Sequence, residues 1–219
     1  MFAGQLISNS IPSLHPDDTV GTALQEMSDF HVSHLPVAED SKYLGVVSEE
    51  SLLDMDEATH IDKLIAGLPK PIIRPHDSFL LAVRIAKNMH LSVIPVVSEQ
   101  YELLGVISEE ELFAQLATFC GVDENGGIVI LEMDKSDYSA GELNRLVESN
   151  DAYITQLNTQ LDTSTQTLIV SLRINKAEIS DIVATLQRHE YTIRYYFGEE
   201  LYQNELQNNL DHLMNYLNI

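Results

Sequence analysis

The 219-residue chain is 44% apolar and 21% charged, proportions that exclude a disordered chain and suit one or two globular domains with a real core. Twelve Lys and Arg stand against 34 Asp and Glu, a net charge of -22, and a field of that sign disfavours duplex nucleic acid and membrane surfaces as partners. The one cysteine, Cys120, excludes an internal disulfide framework and a thiolate-rich zinc site; without a long apolar run or a signal-peptide pattern, the expected compartment is the cytoplasm.

Residues 14–53 and 73–113 carry one pattern twice. Pro16 matches Pro75, Asp18 matches Asp77, Ala23 matches Ala82, His31 matches His90 and Ser33 matches Ser92. After a one-residue insertion, Leu44-Gly45-Val46-Val47-Ser48-Glu49-Glu50 matches Leu104-Gly105-Val106-Ile107-Ser108-Glu109-Glu110. Two copies are too few for a solenoid and point to a pseudo-symmetric pair that builds a shared cleft. Each copy opens with a short apolar strand ending at a proline and an Asp-rich turn, where Thr19 or Ser78 caps a helix at 20–30 or 79–89. Val20, Ala23, Leu24 and Met27, then Leu80, Val83, Ile85 and Ala86, give each helix one apolar face. Strands follow at 35–38 and 43–47, and at 93–97 and 103–107. Gly45 and Gly105 lie early in the second strand of each pair, where glycine permits a close approach of backbone or ligand. A further helix is expected from Ser48 and from Ser108.

An acidic connector at 54–72 ends in Gly67 and Pro69-Lys70-Pro71, which stop a helix and restart the chain extended. Gly121–Gly127 reads as an exposed turn between domains. Beyond it the pattern is strand 128–133, helix 139–149, strand 153–161, strand 167–174, helix 176–189, strand 192–197. That βαββαβ order is ferredoxin-like, an antiparallel sheet with helices on one face. Leu206, Leu210, Leu213 and Leu217 then mark an amphipathic helix over 199–219. The predicted class is α+β: two β-α-β-β-α repeats at 1–62 and 63–120, a βαββαβ domain at 126–198 and the final helix.

The strand–Pro–Asp turn, the "LPV" and "IPV" strands and the "LGVVS" and "LGVIS" strands resemble a tandem pair of CBS domains, a Bateman module, over residues 1–120. The βαββαβ unit is similar to an ACT domain, with Gly141-Glu142-Leu143 opening its first helix. The CBS–CBS–ACT order is similar to that of the acetoin-utilisation regulatory proteins. The resemblance implies a regulatory module whose cleft takes an adenine nucleotide or S-adenosylmethionine. It also implies ligand contacts from a Ser or Thr three residues past the strand glycine and an Asp three further on. Those positions are Ser48 and Ser51 in the first copy, and Ser108 and Glu111 in the second. Neither copy has the Asp; Glu111 still offers a carboxylate to a ribose hydroxyl and Ser51 only a neutral group, so the second copy is the better candidate. Ile73 and Arg74, at the end of the second copy's first strand, complete the expected set.

The helix starts Ser48-Glu49-Glu50 and Ser108-Glu109-Glu110-Glu111 are acidic, and each carboxylate beside a phosphate chain costs on the order of 1 kcal/mol. Only Arg74, His76, Arg84 and Lys87 of the second copy stand to offset that cost, so an uncharged or cationic ligand fits better than ATP. Ser108-x-x-Glu111 also reads as a capping box, which needs no ligand, and capping with or without ligand contact remain alternatives at this point. No Walker loop, dinucleotide fingerprint, nucleophile elbow or metal-binding helix motif is present, and His31-x-x-His34 alone is a weak metal signal. The expectation is a non-catalytic, ligand-sensing regulator. It is a homodimer acting on a regulated enzyme or transporter, with an amino-acid site near 134–141. The alternative is a constitutive dimerisation scaffold with degenerate sites.

Overall fold

A computed structural model describes residues 1–198, and the chain divides into two compact units, Met1–Phe119 and Cys120–Ile219. The leucine-rich segment expected as the last helix lies outside the described residues. The first unit runs α1 (Val20–Asp29), β1 (His34–Glu39), β2 (Lys42–Ser48), α2 (Glu49–Leu52), α3 (Phe79–Met89), β3 (Val93–Val97), β4 (Leu103–Ser108) and α4 (Glu109–Phe119). The predicted caps are in place, since Thr19 accepts the Thr22 N–H and Ser78 the Leu80 N–H. α1 buries Val20, Ala23 and Met27, and α3 buries Phe79 and Ala82.

Each copy pairs its two central strands antiparallel, with an irregularity after Val37 and after Val96, and adds a parallel bridge from the incoming chain, Leu14 to Val37 and Ile73 to Val96. The hairpin tips meet across the repeat: Tyr43 N–H donates to the Tyr101 carbonyl at 2.9 Å and Leu103 N–H to the Ser41 carbonyl at 2.7 Å. A small core of Tyr43, Val46, Leu91 and Val97 joins the copies there.

Packing order departs from chain order. Gly4 N–H donates to the Pro75 carbonyl and Ser8 N–H to the Val106 carbonyl, so the N-terminal segment covers the second copy, and Ala3 shares its core with Ile73, Ile94 and Ile107. The connector does the same for the first copy: Asp62 N–H donates to the Pro16 carbonyl and Val46 N–H to the Pro69 carbonyl. These crossings explain the two strand glycines. At Gly105, with φ of 139°, a Cβ would meet Ile7 Cγ2 at 2.6 Å, Asn9 Oδ1 at 2.8 Å and the Ser8 carbonyl at 2.9 Å; at Gly45, with φ of 152°, it would meet Leu68 Cβ at 2.6 Å. The close approach is by the crossing segments of the chain, through their side chains and, at Gly105, the Ser8 carbonyl as well.

The second unit is β5 (Gly127–Met133), α5 (Ala140–Glu148), β6 (Ile154–Leu161), β7 (Leu168–Ile174), α6 (Ser180–Arg188) and β8 (Thr192–Phe197). Its strands lie in the order β6-β7-β5-β8, all antiparallel, which is the ferredoxin-like arrangement. Val129, Leu131, Val170 and Leu172 face Leu143, Leu146, Ile182 and Leu186 in one core. α6 starts four residues later than the periodicity predicts. The Lys176 carbonyl instead accepts the Gly127 N–H at 2.6 Å, and the Glu178 carboxylate accepts the Ser180 N–H at 2.8 Å.

Candidate functional site in the repeat pair

Two clefts related by the repeat lie in the first unit, and each draws on both copies. The second cleft, of about 790 Å³, is lined by Ser108, Glu109, Glu110, Glu111 and Phe113 at the start of α4, by Phe30, His31 and Val32 after α1, and by Ser8, Ser10, Ile11 and Ser92. The first cleft, of about 590 Å³, has Ser48, Glu49, Glu50, Ser51 and Leu53 in the matching places, with Met89, His90 and Leu91 after α3 and Ser33, His34, Val46 and Gly67–Pro69 around them. Helix starts of one copy thus face the helix ends of the other. His31 and His90 hold matching left-handed conformations, with φ of 53° and 54°, at those helix ends.

At the start of α4 the capping box forms. Ser108 N–H donates to Glu111 Oε2 at 2.8 Å, the Ser108 hydroxyl to the same oxygen at 3.1 Å, and Glu111 N–H to Ser108 Oγ at 3.1 Å. At the start of α2, Ser48 Oγ accepts the Ser51 N–H at 3.3 Å and the Ser51 hydroxyl turns back to the Ser48 carbonyl at 2.7 Å. That helix ends after one turn. Leu53 is 65% exposed, and the chain returns over α1, where Gly21 N–H donates to the Glu57 carbonyl.

The structure brings Ser108 and Glu111 together in one cleft and Ser48 and Ser51 together in the other, but places Ile73 and Arg74 in neither. Ile73 is buried in the second copy's core. Arg74 holds the β3–β4 loop: its guanidinium donates to the Val97 carbonyl at 3.1 Å and to the Ser98 carbonyl, and stacks 4.8 Å over Tyr101. His76 packs edge-on against Phe2, and Lys87 lines a neighbouring groove with Leu112 and Leu116 that shares Glu109 and Phe113 with the second cleft and His90 and Leu91 with the first. Among the described residues, no Lys or Arg lines either cleft.

As cleft residues, sequence reasoning missed Phe30 and His31, about 80 positions before the helix start they face, Ser92, on the far side of the β3–β4 hairpin from it, and Phe113, beyond the quoted motif. Phe30 and Phe113 are 42% and 73% exposed, unusual for aromatic side chains without a partner at the surface. The His31-x-x-His34 pair is divided between the clefts, and burial holds the His34 imidazole below the ordinary histidine range.

Residues 3–57 and 68–118 match the CBS domain model, one stretch per copy. The chain is therefore a CBS-domain protein carrying a tandem pair, followed by a unit with ACT-type βαββαβ order. Over 54% of its length the chain is similar to the crystal structure of a CBS domain pair/ACT domain protein from Thermotoga maritima, at 22% identity and a TM-score of 0.50, covering 98% of that chain. An inosine-5'-monophosphate dehydrogenase of Korarchaeum cryptofilum is 26% identical over 125 residues, 57% of this chain and 26% of the relative. An uncharacterised protein of Methanocaldococcus jannaschii is 22% identical over 109 residues, 49% of this chain and 41% of the relative. The chain spans between 21% and 41% of the length of the curated relatives it matches.

Proposed function

We propose that the protein is a non-catalytic regulator whose CBS pair senses an adenosine-type ligand, with the second cleft as its principal site. The carrying observation is the pairing of Ser108 and Glu111 with two exposed aromatic rings, Phe30 and Phe113, in one cleft of about 790 Å³. The volume falls in the range of small-molecule sites. The rings offer faces to a purine, and the capping box uses Glu111 Oε2, which leaves Oε1 for a ribose hydroxyl. Three carboxylates and no Lys or Arg in the lining favour a neutral or cationic nucleoside, such as adenosine or S-adenosylmethionine, over ATP. Calorimetric titration with S-adenosylmethionine, AMP and ATP tests this: binding should weaken in that order and fall at least about tenfold in Glu111→Ala, the loss of one charge-assisted hydrogen bond. Silence from all three ligands would leave the dimerisation scaffold as the reading, since the capping box accounts for Ser108 and Glu111 without a ligand.

The second unit's amino-acid site belongs to the same proposal. Asp134, Asp137 and Glu142 line a pocket of about 550 Å³ with His189 and Tyr191, an acidic surround suited to an ammonium group. In this reading the protein acts as a homodimer on an enzyme or transporter, and light scattering at several concentrations tests the dimer.

A further inference from the structure

The two clefts share a wall. Ser92 lines the second cleft, Ser33 and His34 line the first, and the three meet where the copies abut. Ser33 N–H donates to Ser92 Oγ at 3.0 Å, Ser92 N–H donates to His34 Nδ1 at 3.3 Å, and Ser92 Oγ lies 3.2 Å from that same Nδ1. The arrangement is one-sided, because the residue matching His34 in the second copy is Val93. The carbonyls of Ser33 and Ser92 accept the N–H groups of Glu49 and Glu109, the first residues of α2 and α4, so any shift of this wall reaches both helix starts.

We propose that Ser33, His34 and Ser92 couple the two clefts, so that a ligand in one changes the affinity of the other; the proposal rests on reading both clefts as ligand sites. As an acceptor for the Ser92 N–H, His34 Nδ1 carries no hydrogen and its lone pair is divided between that N–H and the Ser92 hydroxyl. An acceptor atom of a ligand in the second cleft draws the hydroxyl hydrogen away and leaves the lone pair to the N–H alone. An anionic group in the first cleft stabilises an imidazolium formed by uptake of a proton from solvent, whose Nδ1–H then opposes the Ser92 N–H and donates to Ser92 Oγ instead. Two hydrogen-bonded states of one wall, each favoured by a different ligand, meet the requirement for coupling. Glu49, Glu50 and His90 share the first cleft with His34, and His31, Glu109, Glu110 and Glu111 lie in the second. Burial keeps His34 neutral near pH 7, which is the state the Ser92 N–H requires.

The chain has no tryptophan, so Phe113→Trp places a single reporter at the second cleft, on its border with the groove that Lys87 lines. Adenosine titrations of that protein are compared with the same protein carrying His34→Val, which copies the second repeat. Coupling predicts that the second-cleft affinity changes by at least about fivefold although His34 does not line that cleft; a change under twofold overturns it. A reporter that never responds to adenosine removes the ligand reading but leaves a ligand-free arm. In amide spectra recorded from pH 7.5 to 5, Ser92 and Glu109 should move with the midpoint of the His34 ring and stay still in His34→Val. Amides that ignore the His34 titration overturn the coupling whatever adenosine does.

Discussion

The two repeats agree where they build the fold and at the serine and two glutamates that open each cleft's helix, and differ at a few other positions around the clefts. Capped first helices, hairpins with matching irregularities, parallel bridges and strand glycines recur almost position for position. Around the clefts, Ser51 stands against Glu111, Leu53 against Phe113, Met89 against Phe30, and His34 against Val93. The second helix of the first copy has one turn, and that of the second copy spans 11 residues. Shared positions carry the packing and the acidic helix starts of both copies, whereas the differing ones change the side chains around those starts. The copies are therefore one scaffold with two chemistries.

The strand glycines give the harshest test of the shared scaffold. Gly105→Val combines a left-handed φ with contacts under 3 Å to three atoms of the crossing segment, and should destabilise by about 4 kcal/mol, strain and overpacking together. Gly45→Val meets one atom under 3 Å, a side-chain carbon of Leu68, and should cost less; urea midpoints of the two variants measure the difference. Next come Leu52→Ala and Leu112→Ala, matched core positions on helices of unequal length. Both side chains are almost fully buried, so each truncation should cost about 3 kcal/mol. A much smaller loss for Leu52 would show that its single-turn helix repacks easily, which would break the equivalence of the copies.

Acidity follows from the same difference. Burial lowers the proton affinity of His34, so its folded value lies below the unfolded one. The unfolded chain therefore binds the proton first, and stability should fall as pH drops through about 6.5, the ordinary histidine value, toward the folded value. His34→Val should flatten that limb of the melting temperature against pH profile.

What the sequence made legible was periodic and local. Helix caps at Thr19 and Ser78, the βαββαβ order and the Ser108–Glu111 box all depend on neighbours a few residues apart, and all appear as read. The cleft walls were not legible, because each joins a helix start to a helix end from the other copy. The placing of Arg74 also failed for a physical reason. A guanidinium that donates to the Val97 and Ser98 carbonyls and stacks on the Tyr101 ring is held there, so nearness to the cleft in sequence did not put it in the cleft. The cover that residues 1–8 give the second copy and residues 57–69 the first was hidden similarly, since nothing local tells a segment which core it will close.

The smallest expected effects bear most directly on the difference between the copies. Ser108→Ala removes the acceptor for the Glu111 N–H and one donor to its carboxylate, and should cost about 1.5 kcal/mol; Ser48→Ala, with no box to dismantle, should cost about 1 kcal/mol. Ser51→Glu runs the comparison backwards by giving the first copy the Ser-x-x-Glu pattern of the second. If capping is what the glutamate does, this variant should gain about 0.5 kcal/mol in urea unfolding and leave adenosine binding unchanged. If the glutamate also holds a ribose, the first cleft should gain affinity as well, and a Leu53→Trp reporter in that cleft would register it. The two readouts separate structure from recognition at one position. A gain in stability without a gain in binding would leave Glu111 a cap, and a gain in both would make it a ligand contact.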